Sequence, residues 1–213
     1  MAVSRHRLVV KRTSHDRYQP PLFVVVASTR PGRVRIRVGE WFRAAAEAHG
    51  RFDVRFVDLT ALALPFMDEP NHPRLGTYTR QHTKDWSAVV AGADAFVFVT
   101  PEYNHGYNAV LKNALDFLHK EWADKPMGLV GYGGIAAGTR ATQQLKPVLD
   151  ALRMAVAVEA VNIPFVTNFL SPEGFRANDV IEASAGAMLD ELARLGRLLR
   201  PAREVADLAL ARR

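Results

Sequence analysis

Three short stretches carry the residue types that could hold a phosphate and a flat heteroaromatic ring. The first is Ser28-Thr29-Arg30-Pro31-Gly32-Arg33-Val34-Arg35, with two hydroxyls, a glycine and three arginines. At the start of a helix, unpaired backbone N–H groups and the helix dipole attract an anion, and a guanidinium can grip it with two hydrogen bonds. The plainer reading is a helix N-cap by Ser28 or Thr29 beside solvated arginines. Neither GxxxxGK[ST] nor GxGxxG is present, so a monophosphate fits better than a nucleoside triphosphate or a Rossmann-bound dinucleotide. The second stretch, Pro101–Gly106, offers backbone amides and the Asn104 side chain to a polar ring edge, and Tyr103 to a ring face. Tyr103 could equally be an aromatic at the core's edge and Glu102 a surface charge. In the third, Tyr132-Gly133-Gly134, the missing Cβ atoms let a ligand approach the backbone closely, unless this is an ordinary turn. Brought together, the three describe a mononucleotide site with an aromatic ring.

The elements around these stretches favour such convergence. Ala95–Thr100 is an apolar, β-branched and aromatic run of the kind buried on both faces of a sheet, and Pro101 ends its ladder. From about Asn108, Leu111, Ala114, Leu115 and Leu118 repeat at the spacing of one helical face. Leu22–Ala27 predicts a strand ahead of the first stretch, and Val34–Gly50 a helix behind it. Phe52–Asp58 predicts a second strand, residues 59–76 a long irregular loop, and Thr77–Ala91 a helix. Pro126–Tyr132 is the fourth strand, Thr139–Arg153 a helix containing Pro147, and Ala155–Val161 the fifth strand. A final helix carrying Ile181, Ala185, Met188, Leu192, Leu195 and Leu199 is expected to stop before Pro201. Strands alternating with helices imply an α/β, doubly wound three-layer domain with a five-stranded parallel sheet. With the order 2-1-3-4-5, the loops after strands one, three and four are neighbours at the sheet's carboxyl edge, where ligands bind in such folds.

Composition bounds the rest. The 213 residues suit one large domain over 21–200, with residues 1–20 read as a flexible basic leader and 201–213 as a basic tail. Cysteine is absent, which removes disulfides, thiolate metal sites and cysteine nucleophiles. The seven histidines show no paired metal-ligand spacing, and no G-x-S-x-G elbow suggests a hydrolase. No apolar run approaches the ~20 residues that cross a bilayer, and no signal-type segment opens the chain, so a cytoplasmic location is expected. Net charge is +6, but residues 1–20 and 194–213 each carry +4 and the stretch between them −2. The basic ends read as solvated tails, since no nucleic-acid-binding motif accompanies them.

The sequence resembles the NADPH-dependent FMN reductases of flavodoxin-like fold, a group that includes quinone, azo-dye and chromate reductases. The resemblance runs from about Leu22 to Pro164 and is carried by PEYN at Pro101–Asn104, LKNALD at Leu111–Asp116, STRPGR and YGG. It implies FMN as cofactor, its phosphate held by Ser28, Arg30, Arg33, Val34 and Arg35. Pro101, Glu102, Tyr103 and Asn104 would line the isoalloxazine, together with Tyr132, Gly133 and Gly134. It also implies NADPH or NADH as donor, with hydride carried by flavin N5 and no catalytic side chain or metal. A quinone, azo dye, chromate or free flavin would be the acceptor. Glu102 and His105 are the loop residues placed for any acid–base role. A homodimer or homotetramer is implied as well, with Leu64, Phe66, Phe117 and Trp122 as candidates for burial between subunits. The rival reading is an FMN-binding electron carrier without pyridine-nucleotide activity.

Overall fold

The computed structural model describes residues 18–31 and 34–211, without the side chains of Arg35 and residues 206–211. Apolar, β-branched runs form β1 (Pro21–Val26), β3 (Ala95–Pro101) and β4 (Pro126–Tyr132), and β3 and β4 are buried at every position. With β2 (Asp53–Asp58) and β5 (Ala155–Val156) they make a parallel sheet in the order β2-β1-β3-β4-β5. This is the flavodoxin-like order expected, with its reversal between β1 and β3.

Alternation along each strand divides the core in two. Leu22, Val24 and Val26 of β1 and Val97 and Val99 of β3 face α1 (Val34–His49) and α6 (Asp179–Ala211). On the other face, Val25, Phe96, Phe98 and Leu129 meet α3 (Gln81–Ala91), α4 (Ala109–Asp116) and α5 (Thr139–Ala151). Trp86 and Trp122 lie at the centre of that second layer, Trp122 with its ring 5.1 Å from Phe96. Each indole N–H is satisfied, Trp86 by Ala114 O at 2.8 Å and Trp122 by Leu115 O at 3.2 Å. Phe96 and Phe98, fully buried beside them, contribute on the order of 1.5–3 kcal/mol each.

Several elements depart from the expected ones. The fifth strand is split: β5 ends at Val156, and β6 (Val161–Ile163) pairs independently with β4 through Val130↔Val161 and Tyr132↔Ile163. Phe117 and Trp122, candidates for burial between subunits, are fully buried in the chain's own core. The 59–76 segment contains α2 (Leu59–Leu62) and a 3-10 turn at Pro73–Leu75. It is also tied down. Asn113 of α4 donates to Pro65 O at 2.7 Å and accepts from Met67 N at 3.0 Å. Glu69 accepts from Thr79 N at 3.0 Å and Arg80 N at 2.8 Å, at the start of α3. Partial desolvation pushes the Glu69 pKa up, but the hydrogen bonds from these amides and from the Thr79 hydroxyl at 3.0 Å outweigh it, and the pKa falls to about 2.

The last helix does not stop before Pro201. It runs through that residue to Ala211, although proline removes one helical N–H and typically costs about 3 kcal/mol. What holds the far side is Arg203, whose guanidinium pairs with Asp94 at 2.7 Å and donates to Asp124 O at 3.1 Å. Tyr18 joins the same cluster. Its hydroxyl donates to Asp94 at 2.5 Å and its ring lies 4.3 Å from the Arg200 guanidinium. Residues 18–20 are therefore fastened, Gln19 donating to Gly50 O and Pro20 accepting from Asp53 N. The rest of the expected leader lies outside the described residues.

The latch has a measurable consequence. The Arg203 and Asp94 side chains are only 13% and 21% exposed, so the pair escapes much of the screening that makes surface pairs nearly worthless. Arg203→Ala should lower stability by about 2 kcal/mol, a Tm loss of several degrees by calorimetry. Arg176→Ala breaks a pair with Glu173 that is open on both sides and should change Tm by no more than about 2 °C. Equal melting of the two variants would refute the latch.

Candidate active site

Pro101 ends β3 at the sheet's carboxyl edge, and the chain turns back at once. Tyr103 and Gly106 exchange two backbone hydrogen bonds of 2.9 Å, with Asn104 (φ 47°) and His105 (φ 69°) at the turn between them. Positive φ at both central residues makes this a tight primed hairpin, a conformation asparagine tolerates well. Asn108 then caps α4, accepting from Leu111 N at 3.0 Å while donating to the Thr100 hydroxyl at 3.1 Å.

The loop after β4 comes back along the same edge. Glu102 N donates to Tyr132 O at 2.9 Å, so the loops after β3 and β4 are joined by backbone. Gly133 N donates to Ile163 O, and Gly133 O accepts from Val166 N at 3.1 Å, which brings the 3-10 turn Val166–Phe169 alongside. The loop after β1 closes the third side. Ser28 is buried, and its Oγ lies 2.9 Å from the Tyr103 hydroxyl, so the first two stretches touch directly. Because α1 begins at Val34, neither Ser28 nor Thr29 is its N-cap.

These three loops enclose a cavity of about 420 Å³. Ser28, Arg30, Val34, Pro101, Glu102, Tyr103, Tyr132 and Gly133 line it, all of them expected. Asn104 and Gly134 stand outside the wall, at an exposed turn and an exposed loop. Arg33 lies outside the described residues, and Arg35 is described only as backbone in the first turn of α1. Pro31 of the first stretch also lines the cavity, as do Val166 and Thr167, which lie outside all three stretches. Val166 and Thr167 follow from the pairing of β6 with β4, which no local pattern announces.

Glu102 is held firmly. Its side chain is 8% exposed, accepting from the Arg140 guanidinium at 2.9 Å and from Arg140 N at 3.1 Å. Both carboxylate oxygens are thus engaged by one residue in the first turn of α5. His105 is exposed and its carbonyl accepts from Gln144.

Residues 20–168 match the family model described as NADPH-dependent FMN reductase, and these are the residues that build the sheet edge and its loops. The chain belongs to the NADPH-dependent FMN reductase family. The NAD(P)H-dependent FMN reductase C4B3.06c of Schizosaccharomyces pombe is 44% identical over 149 residues, 68% of this chain and 74% of that protein. The NAD(P)H:quinone oxidoreductase of Solanum tuberosum is 28% identical over 134 residues, 61% and 65% of the two chains. Among solved structures, FerB, a flavoenzyme NAD(P)H:(acceptor) oxidoreductase from Paracoccus denitrificans, superposes with a TM-score of 0.69 over 84% of this chain and 98% of its own. At 19% identity that likeness supports the flavodoxin-like fold of this FMN reductase family member.

A second cleft of about 430 Å³ lies across the β1–α1 loop and is mostly apolar. Thr29, Leu59, Leu64, Phe66, Val110 and Asn113 are among the residues lining it. Phe66 is 84% exposed at its rim. Among the described residues no helix is long and apolar enough to cross a membrane.

Proposed function

We propose that this family member is an NAD(P)H-dependent FMN-containing reductase that passes electrons to quinones or similar small acceptors. The observation that carries it is the single cavity in which a hydroxyl- and arginine-bearing loop at a helix start faces two ring-side loops joined backbone to backbone. Its volume lies in the range of small-molecule sites, and its donor set matches a phosphomonoester at one end and a planar heterocycle at the other. Ser28, Arg30 and the start of α1 would hold the phosphate; Pro101, Glu102, Tyr103, Tyr132 and Gly133 would frame the ring. FMN held there would supply the two-electron chemistry between NAD(P)H and the acceptor. The chain's own part is to bind, orient and shield. Glu102 offers no free carboxylate for proton abstraction, since Arg140 takes both oxygens.

Donor and acceptor would therefore use one cavity in turn. With FMN loaded, NADPH and a quinone varied together should give parallel double-reciprocal lines, the ping-pong signature. His105→Ala should slow hydride transfer less than about tenfold with flavin occupancy unchanged, well short of the hundredfold scale of acid–base assistance. FMN binding without NADPH oxidation would leave the electron-carrier reading instead.

We further infer a homo-oligomer, with the second cleft and Phe66 as the surface that a second copy covers. Leu64, half-buried, and Phe66, exposed, supply apolar area there. A cytoplasmic location fits this reading.

A further inference from the structure

Glu102 lines the cavity, and Arg140, which stands behind that wall, pairs with its carboxylate. Glu102 lines the cavity wall between Pro101 and Tyr103, and its Cβ stands 3.5 Å from the position a Cβ on Gly133 would take. The carboxylate is nearly buried, whereas the Arg140 side chain is 44% exposed and reaches in from α5. A carboxylate beside a ring that gains negative charge on reduction opposes that reduction; a guanidinium beside it favours it. Paired at 2.9 Å, the two charges would nearly cancel at a ring held in the cavity.

We propose that Glu102 and Arg140 act as positioning residues whose paired charges set the reduction potential of the bound flavin. The proposal rests on the FMN reading above and concerns what the chain does to the cofactor. The couple in question adds two electrons and one proton to the ring, leaving it one unit more negative. Its balance is therefore sensitive to any uncompensated charge on the wall. Removing the acid leaves Arg140 unmatched and should draw the couple toward the reduced form. Removing the base leaves Glu102 unmatched and should push it the other way. Losing both restores near-neutrality.

That opposition of signs separates an electrostatic role from a structural one. A loosened loop would weaken FMN binding in every variant without reversing the direction of a redox shift. The experiment is a dye-equilibrated potential measurement on FMN-loaded wild type, Glu102→Gln, Arg140→Gln, Arg140→Lys and the Gln/Gln double variant. Oxidised-FMN titrations and thermal melts on the same samples check occupancy and folding. Glu102→Gln should shift the ratio of reduced- to oxidised-FMN affinity about tenfold toward reduced, equivalent to about +30 mV for a two-electron couple. Arg140→Gln should shift it about tenfold the other way. Arg140→Lys and the double variant should stay within about twofold of wild type. Single variants that shift in the same direction, or not at all, with FMN bound, overturn the proposal and leave the FMN reading standing. Failure of the wild type to bind FMN overturns both.

Discussion

Gly138→Ala is expected to cost about 2–5 kcal/mol of stability, the sum of a left-handed backbone penalty and a backbone overlap. Gly138 sits at the start of α5 with φ 81° and ψ 2°, a conformation that L side chains rarely adopt. A Cβ there would lie 2.5 Å from Tyr132 N and 2.6 Å from Gly131 C. These are backbone atoms in β4, and they cannot swing aside as a side chain could. The partner residue is built for the same contact, since a Cβ on Gly131 would meet Gly138 O at 3.1 Å. Relief requires α5 to move away from β4, which carries Arg140 away from Glu102 and disturbs the Tyr132-Gly133 wall. The expected Tm loss is about 5–20 °C, at 2–4 °C per kcal/mol for a chain of this size, and FMN affinity should fall with it. Gly134→Ala is the control. Its Cβ would meet nothing within 4 Å, and its φ lies outside the left-handed region. It should melt within about 2 °C of wild type. If both variants melt alike, the close approach of α5 to β4 is wrong.

That glycine shows how far the sequence could be read. YGG stood out because adjacent glycines invite close approach, yet Gly138, which needs glycine more, follows an unremarkable Ile135-Ala136-Ala137. Its constraint comes from β4, seven residues upstream, so no local pattern reveals it. The strand-to-loop junctions were legible for the opposite reason. A buried apolar run, a proline or glycine break and a helical stripe are local signals, and together they placed Ser28, Arg30, Pro101 to Tyr103, Tyr132 and Gly133 at one sheet edge. Long-range pairing was not legible. Val166 and Thr167 reach the cavity only because β6 pairs with β4, and the helix crosses Pro201 where Arg203 finds Asp94, 109 residues away. Phe117 and Trp122 fell in the core because α4 and the 3-10 turn that follows it at Lys120–Trp122 fold over Phe96 and Phe98, a packing that helical spacing does not distinguish from an exposed face. Asn113 read only as part of the LKNALD match. In three dimensions it is the pin for the 65–67 segment.

Arg30→Ala should weaken FMN binding by about 1.5–3 kcal/mol, the range for a hydrogen bond to a charged group, or roughly 10- to 150-fold in Kd. Riboflavin binding should change less than about threefold, because that ligand presents the same ring without the phosphate. The differential is the decisive quantity. Arg30 lines the cavity on the β1–α1 side, between Ser28 and the start of the 16-residue α1, where the helix dipole also favours an anion. Ser28 is the poorer residue to test, since its Oγ lies 2.9 Å from the Tyr103 hydroxyl and its loss would disturb both ends of the cavity together. Arg30→Lys should fall between wild type and Arg30→Ala, keeping the charge but losing the planar fork that grips two phosphate oxygens. Raising the salt concentration should weaken FMN binding to the wild type more than to Arg30→Ala, as part of the attraction is Coulombic. Fluorescence titrations of FMN and riboflavin against all three proteins, with melting curves to confirm folding, make the comparison. Superimposed FMN titrations of wild type and Arg30→Ala would remove the phosphate from this loop. Equal losses for FMN and riboflavin would instead show that Arg30 supports the ring side of the cavity through the contact between Ser28 and Tyr103.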